Sequence, residues 1–275
     1  MDILIEPFAY GFQQRALIGG LISGFMASIV GTWLVLRGMS FFGDAFVHGV
    51  VPGIAIAVLL DVNPIFGAAL AALVMVILVE VINRSTTLSA DTSIGLLFVG
   101  MLSLGVILIS RSDSYSGNLA TILFGDPLAI TVNDIYFQIG LASLAIGLTL
   151  YLYRSLVVMS FSVEKAELWG MRPQRTHFLL LILIAMTVVG SFQSVGTLLV
   201  FSLLIGPPAT AALISKSIPR MMMFSVLFSA LSVWLGLVLS FYWSTASSAT
   251  IAILPVVFFF ITLLITRLKD QPWRQ

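Results

Sequence analysis

An all-α fold, a polytopic bundle of eight or nine transmembrane helices, is what this sequence predicts, and three observations lead there. Hydrophobic residues make up 59% of the chain and charged ones only 9%, at a mean hydropathy of +1.11. Thirteen basic and twelve acidic residues among 275 are too few to clothe a soluble core of this size, so lipid must solvate most of the surface. Apolar runs near the roughly 20 residues that cross a hydrocarbon core recur along the whole chain. It therefore reads as one transmembrane domain, 1–275. A net charge of +1 gives nucleic acid no electrostatic footprint. With no cysteine, disulfides and thiolate metal sites are excluded.

The apolar runs fall at 16–36, 40–60, 64–82, 94–110, 131–153, 178–193, 195–215, 221–243 and 250–266. The pair 178–193 and 195–215 shares one uncharged run, so eight spans plus a half-inserted hairpin is the alternative to nine. The leading segment MDILIEPFAYGFQQRA places Asp2 and Glu6 before its first base and has no small-residue cleavage site. The first apolar run is therefore expected to stay in the mature protein. If spans alternate and the C-terminus is inside, eleven of the thirteen bases are cytoplasmic and only Arg15 and Arg111 lie outside. The positive-inside rule then places the N-terminus outside.

Two loops are long. Residues 111–130 are expected outside and 154–177 inside. Within the latter, VEKAELWG reads as a short amphipathic helix, Glu164, Lys165, Ala166, Glu167 and Leu168, stopped at Gly170, with Pro173 preventing continuation. It suits either a docking element for another protein or a helix lying at the membrane interface. In the first span Gly20, Gly24, Ser28 and Thr32 recur every fourth residue, which lets a neighbouring helix approach closely. Pro207 and Pro208 are expected to break the seventh span, as is tolerated only beside protein or a cavity.

The polar residues within spans carry the functional question. In FFGDAFVHGVVPG (41–53), Asp44 and His48 stand at i and i+4 and share one helical face. If the helix starts near Ser40, His48 lies about 12 Å into the membrane, with Pro52 and Gly53 allowing a kink just beyond. Carboxylate oxygen with imidazole nitrogen suits Zn²⁺, Mn²⁺ or Fe²⁺ better than Ca²⁺ or Mg²⁺. The plainer role is an Asp–His contact that only packs the bundle, but desolvating both groups calls for a reason. Two ligands are too few for a transition metal, so other residues or a second copy of the chain must complete the shell.

Other polar residues have plainer readings. Glu80 and Arg84 are spaced for a helix salt bridge. Asp91, before the fourth span, suits an N-cap or a cytoplasmic gate. Gln193 lies at the turn between the sixth and seventh segments and could line a cavity. His177 reads as an ordinary interfacial histidine, and Met221, Met222 and Met223 as lipid-facing filler. No His-Glu-x-x-His pair and no phosphate-binding glycine loop occurs. The Gly-Asp of LFGDP lacks a second carboxylate for an aspartyl dyad. An enzyme is therefore not indicated, and any nucleotide must be bound by another polypeptide.

The chain resembles the membrane permease subunits of bacterial ATP-binding-cassette importers for zinc, manganese and iron. The resemblance runs through LRGMSFFGDAFVHGVVPG (36–53), LSADTSIGLLF (88–98), FSVEKAELWGM (161–171) and SFQSVGTLLVFSLLIGPPATA (191–211), at matching spacing. It implies a homodimer in the bacterial cytoplasmic (inner) membrane with the ion path between the copies. A cytoplasmic ATPase dimer, holding ATP and Mg²⁺, would dock beneath, and an extracytoplasmic binding protein would deliver Zn²⁺, Mn²⁺ or Fe²⁺. Asp44 and His48 match the family's ion-path residues, and 161–173 its coupling helix. Two departures remove hydroxyls. Val47 stands where the family has Ser before the His, and Gly206 where Thr-Pro is common. Rival readings are an ATP-independent channel or secondary carrier, and an importer permease for a metal chelate.

Overall fold

The computed structural model describes residues 4–85, 90–110 and 127–270, and every regular element among them is a helix. After a 3₁₀ turn at Glu6–Ala9 come α1 (Gly11–Leu36), α2 (Ser40–Gly49), α3 (Val51–Leu59), α4 (Pro64–Ser85) and α5 (Ala90–Ser110). A 3₁₀ turn at Pro127–Ala129 leads to α6 (Val132–Phe161), α7 (Val163–Leu168), α8 (Pro173–Ile214), α9 (Ile218–Trp243) and α10 (Ser247–Asp270). Eight stretches among these are long and apolar enough to cross a membrane. A shorter apolar helix, Thr92–Leu108, stands where the fourth segment was expected. Large apolar side chains such as Phe66, Leu70, Tyr151 and Phe260 are exposed on the outside of the bundle, the surface a lipid solvent requires.

The small-residue stripe of α1 meets α9. A side chain on Gly20 would run into Val233, and one on Gly24 into Ser229. Ser28 Oγ donates to the Ser225 carbonyl at 3.2 Å, and Ser225 Oγ returns a 3.5 Å bond to the Ser28 carbonyl. As the α1 number rises the α9 number falls, so the two helices pack antiparallel. Van der Waals contact and such inter-helix hydrogen bonds hold helices together where no hydrophobic force separates protein from lipid.

Helix α8 has 42 residues, about 63 Å if it were straight, twice a hydrocarbon core. It is not straight. Gly196 takes φ 76 and ψ 165, a conformation that favours glycine. Arg37, following α1, meets His177, and the Met26 methyl lies against Gly190, so the first half runs antiparallel to α1. Beyond Gly196, Leu203 returns to Gly24, and Leu204 and Pro208 reach Gly31. The second half thus runs back along α1, and α8 is a hairpin with both ends at the Arg37 end. Its halves are counted as separate spans, Pro173–Phe192 and Val195–Ile214.

The proline pair corrects an expectation. Pro207 and Pro208 lie inside α8, and the non-helical residue there is Gly196. Proline φ fits a helix. Its missing N–H removes the bonds to the carbonyls four residues back, Leu203 and Leu204. The Leu204 carbonyl is turned against Gly31, where an absent side chain lets α1 approach, so the helix continues without a break.

Gly31→Val should therefore be strongly destabilising, by about 1–3 kcal/mol or more, because the new side chain would overlap Leu204. Gly140→Ala, at an open position on α6, should be neutral or slightly stabilising. Thermal unfolding of the detergent-purified chains checks the contrast; equal midpoints for both variants would contradict it.

Candidate functional site

The second span is divided into α2 and α3 just after His48, where the following Pro52 and Gly53 were expected to allow a kink. Pro52 is the reason: it has no N–H for the His48 carbonyl four residues back. The Val50 N–H turns to that carbonyl instead, and α2 ends at Gly49. Pro52 is at home in the first turn of α3, where an N–H would be unpaired anyway. His48 consequently sits in the last turn of a ten-residue helix, at the negative end of its dipole, which favours cations.

Asp44 and His48 are brought together as their spacing predicts. His48 Nε2 lies 3.4 Å from Asp44 Oδ1, with 31% of the histidine side chain and 26% of the aspartate exposed. The imidazole is held edge-on by Phe98 of α5 at a centroid distance of 5.7 Å, and Phe41 in turn packs edge-on against Phe98 at 5.8 Å. His48 Nδ1 is buried without a hydrogen-bond partner among the described residues. Leaving a buried polar atom so costs about 1–3 kcal/mol. Phe41, exposed and three residues before Asp44 on the same face of α2, makes the surroundings of the pair apolar. The pair presents one carboxylate and one imidazole to that face, half of a transition-metal shell. Among the described residues no group of three His, Cys, Asp or Glu could hold a metal ion.

The side chains of Asp91 and Gln193, and of Arg84 as partner to Glu80, lie outside the described residues, as do residues 111–126 with the Gly-Asp of LFGDP. The backbone places Asp91 in the first turn of α5 and Gln193 three residues before the bend of α8.

At the opposite end of α2 the helix ends converge. Arg37, Glu80 and Asn83 of α4, Met159 of α6, Val163 of α7 and Pro173, Gln174 and His177 of α8 line a cavity of about 480 Å³. Arg37 Nη1 lies 3.4 Å from His177 Nδ1, and the Phe42 ring stands edge-on to His177 at 6.3 Å. His177 is thus a half-buried member of a polar cluster. The reading of His177 as an ordinary interfacial histidine missed this partner, because Arg37 and His177 are 140 residues apart.

Beside that cavity α7 forms over Val163–Leu168. Ser162 caps it, accepting from the Lys165 N–H at 3.2 Å. Gly170, at φ 72, turns the chain toward α8. Ala166 is fully buried, anchoring the helix. Glu164, Lys165 and Glu167 are exposed, and so are Leu168 and Trp169, at 84% and 66%.

The model of the ABC 3 transport family matches residues 9–266. The chain belongs to that family. It is 36% identical over 255 residues, 93% of this chain and 91% of the relative, to the manganese transport system membrane protein MntC of Listeria innocua. Identity is 32% over 268 residues, 98% of this chain and 90% of the relative, with the chelated iron transport system membrane protein YfeD of Yersinia pestis. The structure of PsaBC from Streptococcus pneumoniae in complex with Fab matches at a TM-score of 0.84 and 34% identity, covering 94% of each chain. This member of the ABC 3 transport family is a transport component rather than an enzyme. With eight apolar spans among its described residues it is a multi-pass protein of the bacterial inner membrane.

Gly170→Val should loosen the turn after α7, since a left-handed backbone costs a residue with Cβ about 1–2 kcal/mol, more when β-branched. No neighbour lies within 4 Å of the new Cβ, so the effect is backbone alone. Limited proteolysis should cut between α7 and α8 several-fold faster in Gly170→Val, and scarcely faster in Gly170→Asn.

Proposed function

We propose that this chain is the permease subunit of an ABC importer that carries a divalent transition-metal ion into the cytoplasm, manganese or iron before zinc. The observation that carries the reading is the Asp44–His48 pair, 3.4 Å apart and partly open on a face that is otherwise apolar. An aspartate facing lipid at the centre of a helix costs about 2.5–3.5 kcal/mol. Covering that face with a second copy removes the cost and doubles the ligands to two carboxylates and two imidazoles. The homodimer reading rests on that argument. Carboxylate and imidazole together accept Mn²⁺, Fe²⁺ or Zn²⁺. The relatives above are named for manganese and for chelated iron, which ranks those two first. Val47 stands where the family resemblance implies a serine, so the residue before His48 offers the ion no hydroxyl.

A binding protein would release the ion on the Arg15 side, the outer one under the positive-inside rule. The ion would then meet Asp44 and His48 between the two copies. A cytoplasmic ATPase dimer would grip the expected coupling region 154–177, of which only 162–172 lies between α6 and α8, through α7, where exposed Leu168 and the following Trp169 offer an apolar surface flanked by charge. ATP binding and hydrolysis there, with Mg²⁺, would rock the spans so that the site faces each side in turn. Asp91 and Gln193 are second-tier candidates for the same path. In this scheme the chain works as a single domain.

Asp44→Ala and His48→Ala should each lower uptake by about 100-fold or more, since even outer partners of metal ligands cost roughly 10- to 100-fold. Radioactive Mn²⁺ uptake into proteoliposomes holding the permease, ATPase and binding protein, with co-purified ATPase as the assembly control, checks this. Wild-type uptake by both variants would sink the site; uptake without ATPase or ATP would mean a channel or carrier.

A further inference from the structure

A carboxylate beside an imidazole attracts many divalent cations, so the choice among them depends also on what surrounds the two ligands. Around Asp44 and His48 the surroundings are aromatic and apolar. Phe98 of α5 stands edge-on to the His48 imidazole at 5.7 Å, and Phe41 stands edge-on to Phe98 at 5.8 Å. His48 Nδ1 is buried out of the reach of water, although 31% of the side chain is exposed.

The ring of Phe98 is firmly placed. It is half-buried and packs against the core. Seven residues on, along the same face of α5, Gly105 closes on α3. A Cβ there would lie 3.1 Å from Val51 Cγ1 and 3.4 Å from the Pro52 nitrogen. Helix α5 is thus seated at the break between α2 and α3, two turns from Phe98.

The apolar lining continues away from the Arg37 end. Met101, three residues beyond Phe98, shares a cavity of about 330 Å³ with Pro52, Gly53 and Ile56, and none of its described lining residues has a polar side chain. Pro52 is four residues beyond His48. An ion held by the pair therefore finds no side-chain oxygen on this side to replace the waters it gives up. That weighs differently on different cations. Mg²⁺ dehydrates reluctantly and keeps several waters, and Ca²⁺ needs a large set of oxygens. Mn²⁺ and Fe²⁺ accept imidazole nitrogen in place of water.

We infer that Phe98 is a specificity-determining residue of the proposed metal site: its ring takes the space beside His48 that a water of the ion's shell would fill, and so turns away Mg²⁺ and Ca²⁺ in favour of ions that bind nitrogen. This rests on the proposed import function, in which Asp44 and His48 hold the ion. Phe98 contributes no ligand. It acts by fixing the imidazole and by keeping the shell short of water.

The test is equilibrium binding of radioactive Mn²⁺ to the assembled permease–ATPase complex in nanodiscs, with Mg²⁺ and Ca²⁺ as competitors. In Phe98→Ala the ratio of Mg²⁺ to Mn²⁺ that displaces half of the bound Mn²⁺ should fall by about tenfold or more, roughly the factor that one hydrogen bond to a charged group is worth. Electron spin resonance of the bound Mn²⁺ in ¹⁷O-enriched water should show added broadening in the same variant, because water enters the shell. Phe98→Leu, apolar and bulky, should discriminate as wild type does. A Phe98→Ala complex that assembles and still discriminates like wild type overturns the inference, as does a loss in Phe98→Leu as large as in Phe98→Ala. If Phe98→Ala fails to assemble, Phe98→Gln, closer in volume and bearing an amide oxygen, is judged by the same outcomes. Wild-type complex whose Mn²⁺ binding is indifferent to Asp44→Ala would instead refute the proposed function.

Discussion

The desolvation of Asp44 is the constraint around which this bundle is arranged. A carboxylate on a spanning helix is tolerated when a partner, a favourable dipole or a polar path offsets its lost hydration. Three local features supply this. His48 stands one turn away on the same face. Pro52 ends α2 just beyond, so the negative end of a short helix lies beside the pair and favours a cation there. Phe98 closes one side of the imidazole, keeping the ring from turning toward lipid. A helix continuous through residue 50 would retain the charges but would lose the helix end that makes the place attractive to a cation.

Rigid packing behind α2 holds these features in place. Helix α1 is the central post. Its small residues admit α9 on one side and the α8 hairpin on another, and Gly31 receives a carbonyl that Pro208 has freed. The hairpin returns both its ends to the level of Arg37. The Pro173 end, following directly on α7, is thereby brought beside the start of α2. The exposed helix that we assign to ATPase docking thus shares one polar cavity with Arg37, which stands just before the helix that carries the ionisable pair.

Much of this was legible in the residues. The apolar runs marked the spans because lipid imposes length and composition on every crossing. The i, i+4 rule put Asp44 beside His48 because their geometry is local. The small-residue stripe announced a close neighbour without saying which; α9 fills that place through Ser225 and Ser229, whose own spacing matches it. What escaped was long-range or permissive. Arg37 meets His177 across 140 residues, and neither residue carries a motif. The paired runs placed a turn near Gln193 but did not name Gly196 as the residue that makes it, and the proline pair, expected to break the seventh span, lies within continuous helix. Proline only removes donors, whereas the reversal needs a positive φ, and a lone glycine among 22 does not declare that it will adopt one.

The central claim is that one transported ion is held between two copies of the chain by two Asp44 carboxylates and two His48 imidazoles. The most direct measurement is electron–nuclear double resonance of Mn²⁺ bound to the wild-type permease–ATPase complex, with the histidines labelled with ¹⁵N and the bound metal counted per chain. The account predicts one ion for every two chains, coupled to two equivalent imidazole nitrogens that vanish together in His48→Ala. One ion per chain carrying a single nitrogen coupling, or an ion with none, would contradict it.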